Sequence, residues 1–204
     1  ISAALTVMSN IYSTNGITLT IKDTITISES QYDTVSYSFT NSTTSALVSQ
    51  GSKDTVNLFF VEDQSPSDEF AAYGISGGLP GPMGIASSWN GVLNFLYAHA
   101  TGSSLNSQLL GETAAHEMGH WLGLYHTSEY GGERFDPISD TAECPISYDN
   151  DGDGKVYAEE CEGYGADNLM FWTAWSSSSQ AAGKKQENLS SEQQYILKYS
   201  PIAR

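Results

Sequence analysis

His116, Glu117, His120, Gly123 and His126 fall within eleven consecutive residues, and their types and spacing suit a metal ion that activates water. On a helix, His116 and His120 stand four apart and project from one face, which places two imidazoles on one Zn²⁺. Glu117 then lies beside the ion and can take a proton from water held there. Gly123 lets the chain leave the helix in a sharp turn, expected at positive φ, so that His126 returns as third ligand. Three ligands leave one position open for water, as catalysis requires and a closed structural site forbids. The plainer alternative is a helix carrying satisfied histidines. It does not explain why three of the four histidines in the chain share one pattern.

A second metal signal runs from Asp149 to Glu160. Asp149, Asp151 and Asp153 occupy positions 1, 3 and 5 of a twelve-position EF-hand loop, with Gly154 at 6, Val156 at 8 and Glu160 at 12. Lys155 would contribute its carbonyl at position 7, and Tyr157 would act through water at position 9. Oxygen ligands of this charge favour calcium over zinc, with at least one ion expected in a structural role. The flanks are not paired helices, so the expectation is a calcium loop rather than an EF-hand domain; a solvated acidic turn is the plainer reading. Cys144 and Cys161 are the two cysteines and enclose this loop. Free thiols remain open, but pairing suits an exported hydrolase, and a bridge over such a loop stabilises by about 3 kcal/mol.

The pattern H-E-x-x-H-x-x-G-x-x-H is the signature of the metzincin zinc endopeptidases. Within that clan the chain resembles the pappalysin catalytic domain, over roughly Asn57 to Tyr199. The likeness rests on the signature running into His126-Thr127, on Asp136-Pro137-Ile138-Ser139-Asp140-Thr141, on Cys144 and on Asn168-Leu169-Met170. It implies a Met-turn at Met170 beneath the zinc, and an edge strand from the Gly74–Trp89 region along which an extended peptide lies. Residues after Met170, such as Thr173, Ala174 and Trp175, would line the pocket for the residue following the cut bond. Some pappalysins cut before basic residues, with which an acidic protein is compatible. Two residues after the methionine, pappalysins place a tyrosine that supports the reaction intermediate. This chain has Trp172, whose indole N–H can donate but can neither ligate zinc nor accept a proton, so that role is not carried over.

The mechanism implied is metal-assisted peptide hydrolysis with Glu117 as general base and one catalytic zinc. Calcium and the disulfide are expected to order the segment leading to Met170. Two alternatives come from other classes: a calcium-dependent binding or adhesion module with a vestigial zinc site, and a zinc amidase acting on a non-protein substrate. Asp136 and Asp140 could ligate a further ion or orient the third histidine.

Composition narrows the field further. The balance of 24 acidic against 8 basic residues, net −16, excludes a nucleic-acid backbone binder and argues against anionic membrane. No apolar run approaches the roughly 20 residues that span a bilayer. No signal-like segment opens the sequence, so a secreted or extracytoplasmic protein would be a mature or trimmed form here. The expected partner is a protein or peptide substrate, and a monomer is expected.

At 204 residues, with 39% hydrophobic content, the chain suits one globular catalytic domain over residues 1–204. An upper subdomain is expected over about 1–123 and a lower one over about 124–204. The fold class is α/β in the loose, α+β sense: a twisted mixed sheet with two long helices, plus an irregular C-terminal subdomain with a last helix. The cleft would lie between the subdomains.

Ala3, Ala4, Val7, Met8 and Ile11 predict a first helix over Ser2–Tyr12, stopped at Asn15-Gly16. Metzincins place a strand before that helix; its absence suggests that the domain begins upstream of Ile1 or that this protein differs. Alternating β-branched residues predict strands over Ile17–Ile27 and Thr34–Thr40, and the more continuous Val56–Glu62 predicts a buried one. Ser65–Asp68 reads as a polar loop, Gly74–Pro82 as a Gly/Pro-rich approach, and Met83–Trp89 as a strand. The zinc helix should run from Ser104 or Asn106 to Leu122, burying Leu109, Leu110, Ala114, Ala115, Met118 and Leu122. Ser190 with Gln193 fits a capping box opening a last helix, with Ile196 and Tyr199 inward. Ser176–Ser179 reads as loop, and His99 as structural.

Overall fold

The structure, a computed structural model, describes residues 1–32, 35–62, 72–82, 84–85 and 87–201. The expected loop at Ser65–Asp68, and Thr34, Met83 and Ala86 from two expected strands, lie outside them. The chain divides into two compact units. The first is built on Ile1–Gly123 and takes the chain end from Ser200; the second is Leu124–Tyr199. The result is a mixed α/β fold with a small mixed sheet and several helices.

In the first unit, helix α1 spans Ser2–Thr14 and buries Ala4, Met8, Ile11 and Tyr12; of the stripe expected from its spacing, Ala3 is exposed and Val7 half-buried. Helix α3 spans Ser107–Leu122, with the Asn106 side chain accepting from Leu109 N at its start. α1 packs on α3, and the buried Tyr12 hydroxyl ties them by donating to the Ala115 carbonyl at 2.8 Å. α3 packs on the sheet formed by β1 (Leu58–Val61), β2 (Gly74–Ser76) and β3 (Val92–Phe95).

Among the described residues the sheet order is β1-β3-β2. β3 lies in the middle and is buried throughout, running parallel to β1 from Leu58↔Val92 to Val61↔Phe95. β2 runs antiparallel to β3, with Gly74 opposite Asn94 and Ser76 opposite Val92. Val61, Leu93 and Phe95 close a core cluster with Val35, Phe39, Leu47 and Val48. Leu47 and Val48 come from a short helix α2 (Ser42–Val48), opened by Asn41, whose side chain accepts from Thr43 N and Thr44 N. A two-stranded ribbon, β4 (Ala100–Thr101) with β5 (Ser104–Leu105), leads into α3.

Several expectations fail here for a shared reason. Ile17–Ile27 alternates like a strand but forms none: Ile21 and Ile25 are 55% and 74% exposed, and the segment has no ladder partner among the described residues. The described part of Thr34–Thr40 also forms no strand; Val35 and Phe39 are buried by the packing of α2 instead. The described residues of Met83–Trp89 form none either. The strands are Gly74–Ser76, inside the segment read as a loop approach, and Val92–Phe95 beyond it. β propensity says that a side chain suits a half-buried pleated surface; it does not say that a neighbouring strand exists.

The second unit has little regular structure. The disulfide Cys144–Cys161 is formed, and it anchors a cluster of Val156, Ala158, Ala166, Phe171 and Trp175. Ser176–Ser179, expected as loop, opens the short helix α4 (Ser177–Ala181), with the Ser176 side chain accepting from Ser179 N. Helix α5 spans Ser191–Tyr199. Its capping box is reciprocal: Gln193 N donates to Ser190 Oγ at 3.1 Å and Ser190 N to Gln193 Oε1 at 2.9 Å. Gln193 and Leu197 are the buried residues of α5, whereas Ile196 is half-buried and Tyr199 71% exposed. The inward face is therefore rotated from the expected one, because Gln193 is drawn in by Asn168.

Candidate metal centre

α3 carries His116 and His120 on one face, their rings meeting edge to face with centroids 4.6 Å apart. The helix ends at Gly123, which adopts φ 112 and donates its N–H to Gly119 and His120 carbonyls. A side chain with Cβ would be strained there, so glycine permits the turn expected of it. Ligand atoms of His116, His120 and His126 all lie within 4.8 Å of one another. Three imidazole nitrogens so gathered are a donor set that fits Zn²⁺.

His126 Nδ1 lies 3.2 Å from Glu129 Oε2. A carboxylate beside one ring nitrogen orients an imidazole and raises the basicity of the other. Glu129 was not singled out from the sequence; an acid three residues after a ligand histidine is the signal that could have found it.

Glu117 is buried on the same helix, and desolvation pushes its carboxyl up to about 8. A dication held by the neighbouring histidines acts in the opposite direction. The start of β2 touches this residue directly: a Cβ built on Gly74 would stand 2.6 Å from Glu117 Cγ and 2.9 Å from the Leu93 carbonyl. Only glycine lets β2 approach the helix so closely. In the sequence Gly74 is one glycine of a Gly-rich stretch, because the side chain it meets lies far along the chain, at Glu117.

Met170 is fully buried in a turn closed by Phe171 N donating to Asn168 O at 3.1 Å. Asn168 Oδ1 accepts from Met170 N at 2.8 Å, and Met170 O accepts from Thr127 N at 3.0 Å, so the turn is bound to the residue following His126. Trp172 Nε1 donates to the Val156 carbonyl at 2.6 Å. Its single donor is spent on the acidic loop. Asp136 Oδ1 accepts from Ile138 N and Thr141 Oγ1, closing a local turn. Asp140 serves the start of α5, accepting from Glu192 N at 3.1 Å, and the Ser190 hydroxyl heads the contacts that lower its pKa.

In the acidic loop, carboxylate oxygens of Asp149, Asp151 and Asp153 lie within 4.8 Å of one another. Asp149 accepts from Gly152 N at 2.7 Å and Gly154 N at 2.9 Å. Glu160 accepts from Asn150 N at 2.7 Å and Tyr157 N at 2.9 Å, which draws the twelfth position back onto the loop. Gly152 and Gly154 take φ 77 and 85.

Residues 1–127 match the family model described as metallo-peptidase family M12B, reprolysin-like. The chain belongs to this family. Membership makes it a metallopeptidase domain and implies zinc as the metal for which the three histidines are arranged. The match of this reprolysin-like chain ends at Thr127, so Asp136 to Met170, which carry the rest of the pappalysin likeness, lie beyond it. Similar curated proteins are fungal. An "Extracellular metalloprotease" of Colletotrichum graminicola is 37% identical over 97 residues, 45% of this chain and 32% of the relative. One of Verticillium alfalfae is 35% identical over 89 residues, 32% of this chain and 31% of the relative. "Extracellular metalloprotease 1" of Coccidioides posadasii is 29% identical over 115 residues, 52% and 40% of the two chains. The chain thus spans well under two thirds of the length of these relatives. No solved structure matches it.

His99 is 2% exposed, with Nδ1 2.7 Å from the Phe95 carbonyl and Nε2 2.8 Å from Thr113 Oγ1. It fits the structural role expected. Burial lowers its pKa from 6.5 to about 4, the Phe95 bond opposing. The unfolded chain therefore binds a proton that the folded one refuses between those values. Stability from this group is present above the unfolded pKa and is lost as pH falls towards the folded one, by roughly 3 kcal/mol in all. Urea melts at pH 7 and 4.5 should show a smaller pH loss in His99→Gln than in the parent; equal losses would contradict this.

Proposed function

We propose that the chain is the catalytic domain of a secreted zinc endopeptidase. The observation that carries this is the gathering of three imidazoles, with a buried carboxylate one residue from the first of them. Zinc, when bound, supplies a Lewis acid that polarises the scissile carbonyl and lowers the pKa of water towards about 7. His116, His120 and His126 hold it. Glu117 takes the proton of the attacking water on its carboxylate and later delivers one to the leaving amine. β2 lies at an edge of the sheet among the described residues, and its backbone can receive an extended peptide by strand addition.

The pappalysin-like reading of the second unit is supported by the buried Met170 turn and its bond to Thr127. Against a full likeness, Trp172 does not replace the family tyrosine, since its N–H is already engaged. Calcium at Asp149, Asp151, Asp153, Glu160 and the Lys155 carbonyl, with Tyr157 acting through water, is supported by the clustering of the carboxylates and the return of Glu160. Asp136 Oδ2 is buried without a hydrogen-bond partner, which suits the further cation considered from the sequence. Secretion is supported by the disulfide and by the extracellular naming of the relatives; no helix among the described residues is long and apolar enough to cross a membrane.

Incubation with casein, with and without phenanthroline, tests the central reading. Chelator-sensitive cleavage into internal fragments is expected. Intact casein beside a fully zinc-loaded protein would sink it, and release of a non-protein amide instead would favour an amidase.

A further inference from the structure

Thr113 and Glu117 stand four apart on α3, so their side chains stack on one face. A threonine inside a helix ordinarily turns its hydroxyl to the carbonyl one turn back. Here Thr113 Oγ1 instead lies 2.8 Å from His99 Nε2. The other ring nitrogen of His99 faces the Phe95 carbonyl, which can only accept. Nδ1 therefore carries the proton, and Nε2 accepts from the threonine hydroxyl.

That bond settles the Thr113 rotamer and turns its methyl group towards β2. A Cβ built on Gly74 would stand 3.0 Å from Thr113 Cγ2, as well as 2.6 Å from Glu117 Cγ. The preceding residue, Tyr73, lays its ring against His99, with centroids 5.1 Å apart. Tyr73 and Gly74 thus contact the two ends of one file, His99–Thr113–Glu117. All three of its members are buried.

We infer that His99 and Thr113 are positioning residues: their hydrogen bond holds the Glu117 stem against the start of the edge strand, fixing where its carboxylate meets water and substrate. This rests on Glu117 as the base. A base displaced by a fraction of an ångström still binds substrate but transfers its proton poorly, so the effect belongs in kcat rather than KM.

Thr113→Val keeps the shape and removes the hydroxyl, whereas Thr113→Ser keeps the hydroxyl. Per folded, zinc-loaded chain, Thr113→Val should lose kcat roughly tenfold or more at unchanged KM, and Thr113→Ser should retain more of the rate. Should Thr113→Val fail to fold, His99→Phe, which keeps a ring but offers no acceptor, carries the same comparison and should show the same kcat-selective loss. Parental kcat in Thr113→Val with only a lowered melting temperature would reduce the pair to a structural one. Equal losses in Val and Ser variants would also overturn the inference. Glu117→Gln serves as control. If it is inactive while Thr113→Val is fully active, this inference alone fails; if it is itself active, the base assignment fails and takes the inference with it.

Discussion

Glu117→Gln will retain zinc and lose peptide turnover by roughly 10²–10⁴-fold, the range that a positioned general base supplies. The amide preserves size and leaves the imidazole cluster intact, but it cannot accept a proton from water. His120→Ala should differ in kind, losing both zinc and activity, because two imidazoles hold the ion far less tightly than three. Metal content by atomic absorption, read beside single-turnover rates, separates the two outcomes. A Glu117→Gln enzyme cleaving peptide at near-parental rate would exclude the carboxylate from proton transfer.

Calcium removal at constant zinc should lower the melting temperature by roughly 5–10 °C, as expected for an ion held at about a hundred times its Kd in a chain of this size. Activity should fall with it and return when calcium is added back. The coupling has a visible route within the second unit. The Val156 carbonyl, inside the acidic loop, accepts from Trp172, two residues past Met170. The Trp172 ring lies 5.5 Å from that of Tyr157. Glu159 accepts from Ser176 N and Ser179 Oγ, both at 2.8 Å, and so holds the segment that continues into α4. Met170 in turn is bonded to Thr127, next to the third histidine. Loosening the loop should therefore loosen the turn. Calorimetry in zinc-buffered solution, with and without calcium, decides the matter; identical melting curves would dismiss the coupling.

Some of this was legible because the determinants are local. The sixteen-residue zinc helix and its Gly123 end follow from helical spacing and turn chemistry, with its start read to within a few residues. The first helix, the capping box of Ser190 and Gln193, and the pairing of the two cysteines in the chain belong to the same class. The strands were legible only in part. Val56–Glu62 contains β1, but Ile17–Ile27 alternates just as convincingly and lies exposed. The difference is whether a partner strand comes alongside, and that depends on residues far away in the chain. α2 escaped notice because Ser42-Thr43-Thr44-Ser45 has little helix propensity, and only the Asn41 cap and burial of Leu47 and Val48 hold it.

Residue types at short spacings set out the chemistry to expect of this chain: two imidazoles and one carboxylate on one helix, where backbone geometry sets their spacing, then a glycine turn and a third imidazole three residues past it. Tertiary structure alone decided what surrounds that chemistry. It made a strand of Gly74–Ser76, pressed Gly74 onto Glu117, turned the Thr113 hydroxyl to His99 and engaged the Trp172 indole with Val156. Each of these joins residues more than a helical turn apart in sequence, and such meetings are fixed by close packing of the whole chain rather than by any local preference.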